Sequence, residues 1–190
     1  MSFDINGIRN TLSLAQTPHR FEHTLGVALT AAMLGRIYGA DPEKCEVAGL
    51  LHDCAKCYSD QELIILCGNN SIHLSEAVFR SPQLLHSIYG PFEAKDRYHI
   101  EDPEILDAIR YHTTGKPEMG MLSQIIFVSD YIEPHRDQAL HLNELRREAF
   151  TDLDRCTYRI LDDTISYLTN KGTEVASDSL EAYKYYERYK

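Results

Sequence analysis

The residues of this chain best suited to chemistry are histidines and aspartates that lie on otherwise apolar stretches. His52 and Asp53 are adjacent at the end of the run AGLLHD, and Asp130 lies within IIFVSDYIEP. Burying an ionised carboxylate is unfavourable unless it is paired or binds a metal ion. Neighbouring side chains on a helix point about 100° apart, so His52 and Asp53 can share an ion that lies between them. The pair therefore favours a shared metal over a mutual hydrogen bond.

Three further histidines fall near predicted helix ends or on apolar stretches, namely His23, His86 and His112. Each one taken alone is most simply a core polar group or a helix cap. Together with the first set they place an imidazole or a carboxylate on each of five predicted helices. Helical bundles build metal sites in this way. Mixed nitrogen and oxygen ligation suits iron, manganese, cobalt or zinc better than calcium.

The elements that must position these residues are predicted to be helices. A helix start is indicated where a capping residue precedes proline, or where Ser59 and Glu62 can form a capping box. The capping residue precedes proline at Thr17-Pro18, Asp41-Pro42, Ser81-Pro82 and Asp102-Pro103. No alternating pattern of useful length predicts a strand. We therefore expect an all-α fold.

The later part of the chain follows the same pattern. Gly90-Pro91 is expected to bend or break the fourth helix. Residues 119–133 are predicted to form an apolar sixth helix, and residues 141–170 one or two amphipathic helices. A polar loop from Asn170 to Ser177 then precedes a tyrosine-rich last helix. The short connections favour one helical domain over residues 1–190.

The net charge of the chain limits the classes of partner that it can bind. The chain has 190 residues, and 19 basic against 29 acidic side chains give a formal net charge of −10. This acidity argues against binding to a nucleic-acid backbone or an anionic membrane surface. No apolar run approaches the ~20 residues that a membrane span needs. A small anionic substrate stays compatible, because a metal ion or a basic cluster can invert the field in one cleft.

The number of cysteines indicates the cellular compartment in which the protein is expected. The chain has five cysteines, and its first residues carry neither the basic nor the apolar region of a secretion signal. An odd number of cysteines without such a signal is typical of reduced thiols. We therefore expect a cytoplasmic protein.

The order of the candidate ligands resembles the HD-domain superfamily of metal-dependent phosphohydrolases. His23, His52-Asp53, His86, His112 and Asp130 follow one another as the histidines and aspartates of that family do. The phrases HRFEHT, LLHDCAK, ILDAIRYHTTG and VSDYIEPHR look like its YqeK branch, the symmetrical dinucleoside-tetraphosphate hydrolases. The resemblance covers a motif-bearing core, residues 17–136, and leaves residues 137–190 as a helical extension with little motif information.

The resemblance implies a fold, an activity and a ligand set. The fold is an HD-type helical bundle with a metal site between its helices. The activity is hydrolysis of diadenosine tetraphosphate to two ADP by metal-activated water. The primary metal ligands are His23, His52, Asp53 and Asp130. The metal is expected to be iron, with manganese, cobalt or zinc as alternatives, and one or two ions are compatible with the pattern.

His86 and His112 have two interpretations in this family: ligands of a second metal ion, or donors to the phosphate chain. Either way they join Asp53 and Lys56 as catalytic candidates. Helical spacing places Arg20 on the face of His23 and Lys56 on that of Asp53. The remaining phosphate-binding candidates are His19, Thr113 and Arg136.

Three alternatives stay open at this point. Another HD-type activity is compatible with the ligands: a nucleotidase, a guanosine-alarmone hydrolase or a cyclic-nucleotide phosphodiesterase. A non-catalytic sensor of nucleoside diphosphates is also compatible, although the complete ligand set argues against it. The adenine pocket needs apolar or aromatic walls. The loop Asn170–Ser177 and nearby tyrosines are candidates to form them. The tyrosine-rich tail is interpreted as internal packing or as the surface of a homodimer.

Overall fold

Every regular element in the described part of the chain is helical. The computed structural model describes residues 3–190, and within them there are eleven α-helices and no β-strand. The helices, numbered α1 to α11 in chain order, are Ile5–Ala15, Pro18–Tyr38, Pro42–Leu51, Asp60–Asn69, Glu76–Arg80, Leu85–Tyr98, Pro103–Tyr111, Met121–Ile132, Leu142–Glu148, Leu153–Asn170 and Ser177–Tyr186. Short 3₁₀ turns cover Cys54–Cys57, Pro82–Leu84 and Glu187–Tyr189. The predicted all-α class is confirmed.

The predicted helix starts are confirmed at four places. The Thr17, Asp41 and Asp102 side chains each accept a backbone N–H of the first turn, with proline as the first helical residue. Ser59 and Glu62 form the reciprocal capping box at the start of α4. These caps satisfy N–H groups that have no partner within the helix, which is why the boundaries were readable from sequence.

The expected helical position of His52-Asp53 is wrong, and so is a break of the helix at Gly90-Pro91. Helix α3 ends at Leu51, so His52 occupies its C-cap and Asp53 begins the turn Cys54–Cys57 with φ −108° and ψ 23°. His52 and Asp53 are therefore not consecutive residues of a helix. Helix α6 begins only at Leu85 and runs unbroken through Pro91. Most of its first half is buried, and this packing outweighs the backbone hydrogen bond that proline cannot make.

Other boundaries differ less. Residues 141–170 form two helices, α9 and α10, separated at residues 149–152. The apolar helix predicted over residues 119–133 is observed as α8, from Met121 to Ile132. Helix α1 and the short α5 were not predicted. Among residues 3–190, every helix is too short or too polar to cross a membrane.

Close packing of α2 against α3 sets the relative positions of the helices that carry the site residues. A Cβ on Gly49 would lie 2.6 Å from the Cα of Ala28, so only glycine lets the two helices approach this closely. The main core is assembled from α1, α2, α3, α7, α8, α10 and α11, from Ile8 to Tyr186. Helices α4, α5 and α6 pack through a second cluster around Leu63, Leu85 and Tyr89.

Candidate metal centre

Four buried imidazoles converge between the helices. The Nε2 atoms of His23 on α2 and His52 after α3 are 3.3 Å apart. Those of His86 on α6 and His112 after α7 are 3.1 Å apart. The His52 ring packs edge-on against those of His23 and His112, with centroids 5.3 and 5.0 Å away. Four Nε2 atoms from four helices therefore face one small volume.

The opposite nitrogen of three rings is held by an oxygen. His52 Nδ1 lies 2.7 Å from the carbonyl oxygen of Gly49, and His112 Nδ1 lies 2.8 Å from that of Ile109. His23 Nδ1 lies 3.1 Å from Oε1 of Glu133. A carbonyl or carboxylate oxygen only accepts, so each Nδ1 carries a hydrogen and donates it. In the neutral rings Nε2 is then unprotonated and faces the centre.

The rings of His52 and His112 are oriented by the same local hydrogen bond. Each is the C-cap of its helix and folds back onto the carbonyl three residues earlier. Carbonyls of a last helical turn have no partner within the helix, so this hydrogen bond satisfies one of them while it orients the ring. The sequence shows a histidine at the end of each apolar run, but only the structure places that histidine after the last helical residue.

Two carboxylates complete the donor set. Asp53 Oδ1 lies 3.2 Å from His86 Nε2 and 3.4 Å from His112 Nε2, and its Oδ2 lies 3.5 Å from His52 Nε2. Asp130 Oδ1 lies 3.2 Å from His23 Nε2 and 4.0 Å from His52 Nε2. Asp53 therefore lies between the pair His23–His52 and the pair His86–His112. Asp130 lies next to His23.

The donor set fits a divalent metal ion. Ligand atoms of His23, His52 and Asp130 all lie within 4.8 Å of one another, and so do those of His52, Asp53 and His112. The lone pairs of Nε2 and the carboxylate oxygens point at the same volume, where they repel one another unless a cation lies among them. Backbone or carboxylate partners behind the rings are typical of metal-ligating histidines.

Charge and burial set the protonation of the ion-free centre. Burial raises the pKa of Asp53, but the charge that His52 carries when it is protonated, and the hydrogen bonds that protonated His112, His52 and His86 donate, outweigh burial and hold that pKa well below its usual value. Burial lowers the pKa of His86 to about 4. For His23, burial also lowers the pKa, but hydrogen bonds to Asp130 and Glu133 prevail and raise it to about 9. Metal binding must therefore displace a proton from His23.

The predicted phosphate-binding arginines lie beside the carboxylates. Arg20 Nη1 donates to Asp53 Oδ2 over 2.8 Å. Arg136 Nη2 donates to Asp130 Oδ1 over 2.8 Å, and its Nε donates to the Asp130 carbonyl over 2.9 Å. Both side chains remain over a third exposed, 38% for Arg20 and 35% for Arg136. Each arginine therefore keeps N–H groups at the surface while it holds an acidic residue in place.

The other three candidates differ in position. Thr113 Oγ1 lies 3.0 Å from His112 Nε2 and 3.3 Å from His86 Nε2, so it belongs to the centre. Lys56 is exposed and lies near enough to His86 to disfavour protonation of that ring. His19 is exposed, and its side chain makes no hydrogen bond or ion pair with any of residues 3–190. The structure thus brings every candidate but His19 to the centre or beside it.

Glu133 contacts a histidine of the centre and is not among the residues predicted from the sequence. It is buried at the C-cap of α8, three residues after Asp130. Its signal in the sequence is an acidic residue between an apolar helix and Pro134. An acidic residue at that position is equally typical of an exposed helix end. Only the packing of α8 against α2 directs the Glu133 side chain towards His23.

Comparison with known proteins identifies the family. A family model described as the HD domain matches residues 20–135, which include His23, His52-Asp53, His86, His112 and Asp130. The chain belongs to the HD-domain family. The expectation from the ordered motifs is thereby confirmed.

HD-domain relatives match most of this chain. It is 39% identical over 167 residues to a protein of Halalkalibacterium halodurans named bis(5'-nucleosyl)-tetraphosphatase, symmetrical, covering 88% of each. It is 37% identical over 171 residues to a protein of the same name from Bacillus subtilis, covering 89% of this chain and 90% of the relative. A crystal structure from Clostridium acetobutylicum, described as a predicted HD superfamily hydrolase involved in NAD metabolism, superposes with a TM-score of 0.94 at 36% identity over 100% of both chains.

This HD-domain chain also has a cavity of about 810 Å³ between α5, α6, α7 and the start of α11. Its lining includes Leu84 and Ile88, which flank His86 in the chain, and Tyr111 and Thr114, which flank His112 and Thr113. Residues 174–177, within the loop expected to wall a nucleoside pocket, line it too. The tail tyrosines pack inward instead: Tyr186 is buried, and its hydroxyl accepts the Met119 N–H.

Proposed function

We propose that this chain hydrolyses dinucleoside tetraphosphates symmetrically and converts diadenosine tetraphosphate into two ADP. The observation that carries the proposal is the cluster of four imidazoles around Asp53, rimmed by Arg20 and Arg136. Such a cluster suits a phosphate substrate because it combines a metal site with guanidinium groups. The relatives named symmetrical bis(5'-nucleosyl)-tetraphosphatase, at 33–39% identity over 86–90% of their length, supply the substrate class.

In this proposal His23, His52, Asp53 and Asp130 hold the metal, and His86 and His112 hold a second ion or the phosphate chain. Iron is the proposed metal, with manganese, cobalt or zinc as alternatives, and one or two ions are bound. A bound divalent ion supplies a lowered pKa for water and positive charge for the phosphate oxygens. Asp53 contributes an ionised carboxylate at the middle of the cluster, where it orients the water and accepts a hydrogen bond from it.

The basic residues bind the phosphate chain. Arg20 and Arg136 offer the guanidinium N–H groups that their carboxylate partners leave free, and Lys56 adds an exposed ammonium near His86. The Thr113 hydroxyl, within reach of both His86 and His112, donates to a phosphate oxygen. These donors stabilise the negative charge that develops on the non-bridging oxygens. His19 stays a prediction with no contact to support it.

We assign the cavity beside α6 and α7 to one nucleoside of the substrate. Its size falls within the range of ligand pockets, and its walls are largely apolar with a few polar groups. Ala176→Trp fills part of it and is expected to raise the KM for diadenosine tetraphosphate at unchanged metal content. Ala15→Trp, at the end of α1 and outside the cavity, is the control. An unchanged KM in Ala176→Trp would place the nucleoside elsewhere.

Product analysis tests the proposed reaction. Protein loaded anaerobically with Fe²⁺ is incubated with diadenosine tetraphosphate, and the products are separated by chromatography. We expect ADP as the sole product. Equal amounts of AMP and ATP would indicate asymmetrical cleavage, and turnover of other nucleotides without ADP release would favour a different HD-type hydrolase. An Asp53→Ala protein with unchanged turnover would favour the sensor.

Three broader expectations remain part of the proposal. Residues 1–190 form a single domain, which is supported by a core cluster that extends from Ile8 to Tyr186. The location is cytoplasmic, which is supported by free thiols at all five cysteines. A homodimer stays a prediction, and sedimentation velocity of the purified protein tests it.

A further inference from the structure

Glu133 differs from the two oxygens that hold Nδ1 of His52 and His112, which are backbone carbonyls. His52 and His112 are oriented by backbone carbonyls, whereas His23 is oriented by this ionisable side chain. The Glu133 carboxylate is buried, with 2% of the residue exposed. Its two oxygens face donors, the His23 ring and the backbone N–H of His135, which is the environment of an ionised carboxylate.

The surrounding structure holds the carboxylate in this place. Oε2 accepts the His135 N–H over 2.7 Å, while Oε1 faces His23. On α2, Gly26 lies one turn after His23, and a Cβ there would overlap Oε2. The α2 helix thus has a glycine at the point where the carboxylate enters. From α9, Arg146 donates to the carbonyls of Ile132, Glu133 and Arg136 over 2.9, 2.8 and 2.7 Å.

We propose that Glu133 is a positioning residue that strengthens divalent-metal binding through His23. The carboxylate keeps the His23 hydrogen on Nδ1, so that Nε2 faces Asp130 and the centre. Its negative charge also makes the imidazole a better electron donor, an effect that a backbone carbonyl exerts less strongly. Helix α9, which lies in the extension over residues 137–190 with little motif information, thereby contributes to the centre through Arg146. The proposal rests on the metal-binding part of the proposed function and is independent of the substrate.

The test compares Zn²⁺ affinity among variants, measured by competition with a chromophoric chelator. Glu133→Ala is expected to bind Zn²⁺ about 10- to 100-fold more weakly than the unmodified protein. Glu133→Gln, which keeps an oxygen acceptor but loses the charge, is expected to fall between the two. Glu93→Gln is the matched control, since Glu93 is also buried but accepts from Tyr58 and Arg97 instead of from a histidine.

A spectroscopic readout separates positioning from general damage. In ¹⁵N-histidine-labelled, Zn²⁺-loaded protein, Glu133→Ala should change the Nδ1 signal of His23 and leave those of His52 and His112 in place. Unchanged Zn²⁺ affinity in a folded Glu133→Ala protein would overturn the proposal, as would an equal loss in Glu93→Gln. If Glu133→Ala does not fold, Glu133→Gln decides by the same two readouts. Absence of Zn²⁺ binding in the unmodified protein would instead refute the metal centre itself.

Discussion

At the scale of single residues, the centre is built by side chains that each do two things. His52 and His112 cap a helix with one ring nitrogen and present the other to the centre. Arg20 and Arg136 fix a carboxylate and still face solvent. A buried group with two partners is held in one orientation, so the cluster needs little rearrangement when an ion binds.

Asp53→Asn tests the residue that joins the two histidine pairs. The amide keeps the size of the carboxylate but brings N–H donors and no charge, so metal content should fall to background and kcat by at least about 100-fold. Metal content is measured by mass spectrometry of purified protein, and activity by ADP release. Asp163→Asn is the matched control, because Asp163 is also buried against a histidine, His141, away from the centre. Normal metal content in Asp53→Asn would contradict the ligand assignment.

Lys56→Ala separates phosphate binding from metal binding. Removing one charge-assisted hydrogen bond of about 1.5–3 kcal/mol should raise KM for diadenosine tetraphosphate roughly tenfold or more. Metal content should not change, because among residues 3–190 no hydrogen bond or ion pair joins the ammonium to the four primary ligand candidates, His23, His52, Asp53 and Asp130. Lys95→Ala, an exposed lysine on α6, provides the comparison. Loss of metal at constant KM would remove Lys56 from the phosphate site.

At the scale of elements, the contact between α2 and α3 decides whether His23 and His52 meet. Gly49 makes this contact possible and also supplies the carbonyl that orients His52. Helix α8 reaches the same point from another side, with Asp130 and Glu133 one turn apart. The part of the centre formed by His23, His52 and Asp130 therefore depends on how α2, α3 and α8 pack, and the spacing of these helices controls the distances between the ligand atoms.

Gly49→Ala is expected to force α2 and α3 apart. The added methyl would lie 2.6 Å from backbone of Ala28, which cannot move aside as a flexible side chain can. Overpacking of this kind should destabilise the protein by roughly 1–3 kcal/mol and weaken metal binding. The free energy of unfolding is measured in urea.

Gly68→Ala is the control for that change. Gly68 lies within α4, and a Cβ there meets no atom within 4 Å. Replacing a helical glycine by alanine should therefore stabilise the protein by about 0.5–1 kcal/mol. Equal stability of the two variants would show that the α2–α3 contact tolerates a side chain.

At the scale of the whole molecule, the formal charge of −10 and an anionic substrate are compatible. Asp53 and Asp130 contribute to that charge, and adding the +2 of one divalent ion to −10 gives −8. The added charge lies in the one place where a polyphosphate would bind, beside Arg20 and Arg136. The net negative charge of the whole chain still disfavours binding to nucleic acid.

Removing the metal should destabilise the fold as a whole, because the proposed primary ligands come from α2, α8 and the end of α3. An ion at 1,000 times its dissociation constant stabilises the folded state by about 4 kcal/mol, which corresponds to a Tm increase on the order of 10 °C. Thermal unfolding with Zn²⁺ and with excess chelator measures the difference. Asp53→Asn should show no such difference, and identical Tm values for the unmodified protein would contradict the prediction.

The sequence by itself determined the all-α class, several helix starts and the family. These features depend on short-range physics: caps satisfy free N–H groups within one turn, and the ordered His and Asp phrases are linear. Only the tertiary structure showed that α6 continues through Pro91, that α3 ends before His52, and that Glu133 supports His23. Those outcomes depend on contacts between residues far apart in the chain, up to 110 positions for His23 and Glu133. Local propensity carries no information about which distant group will be buried against which.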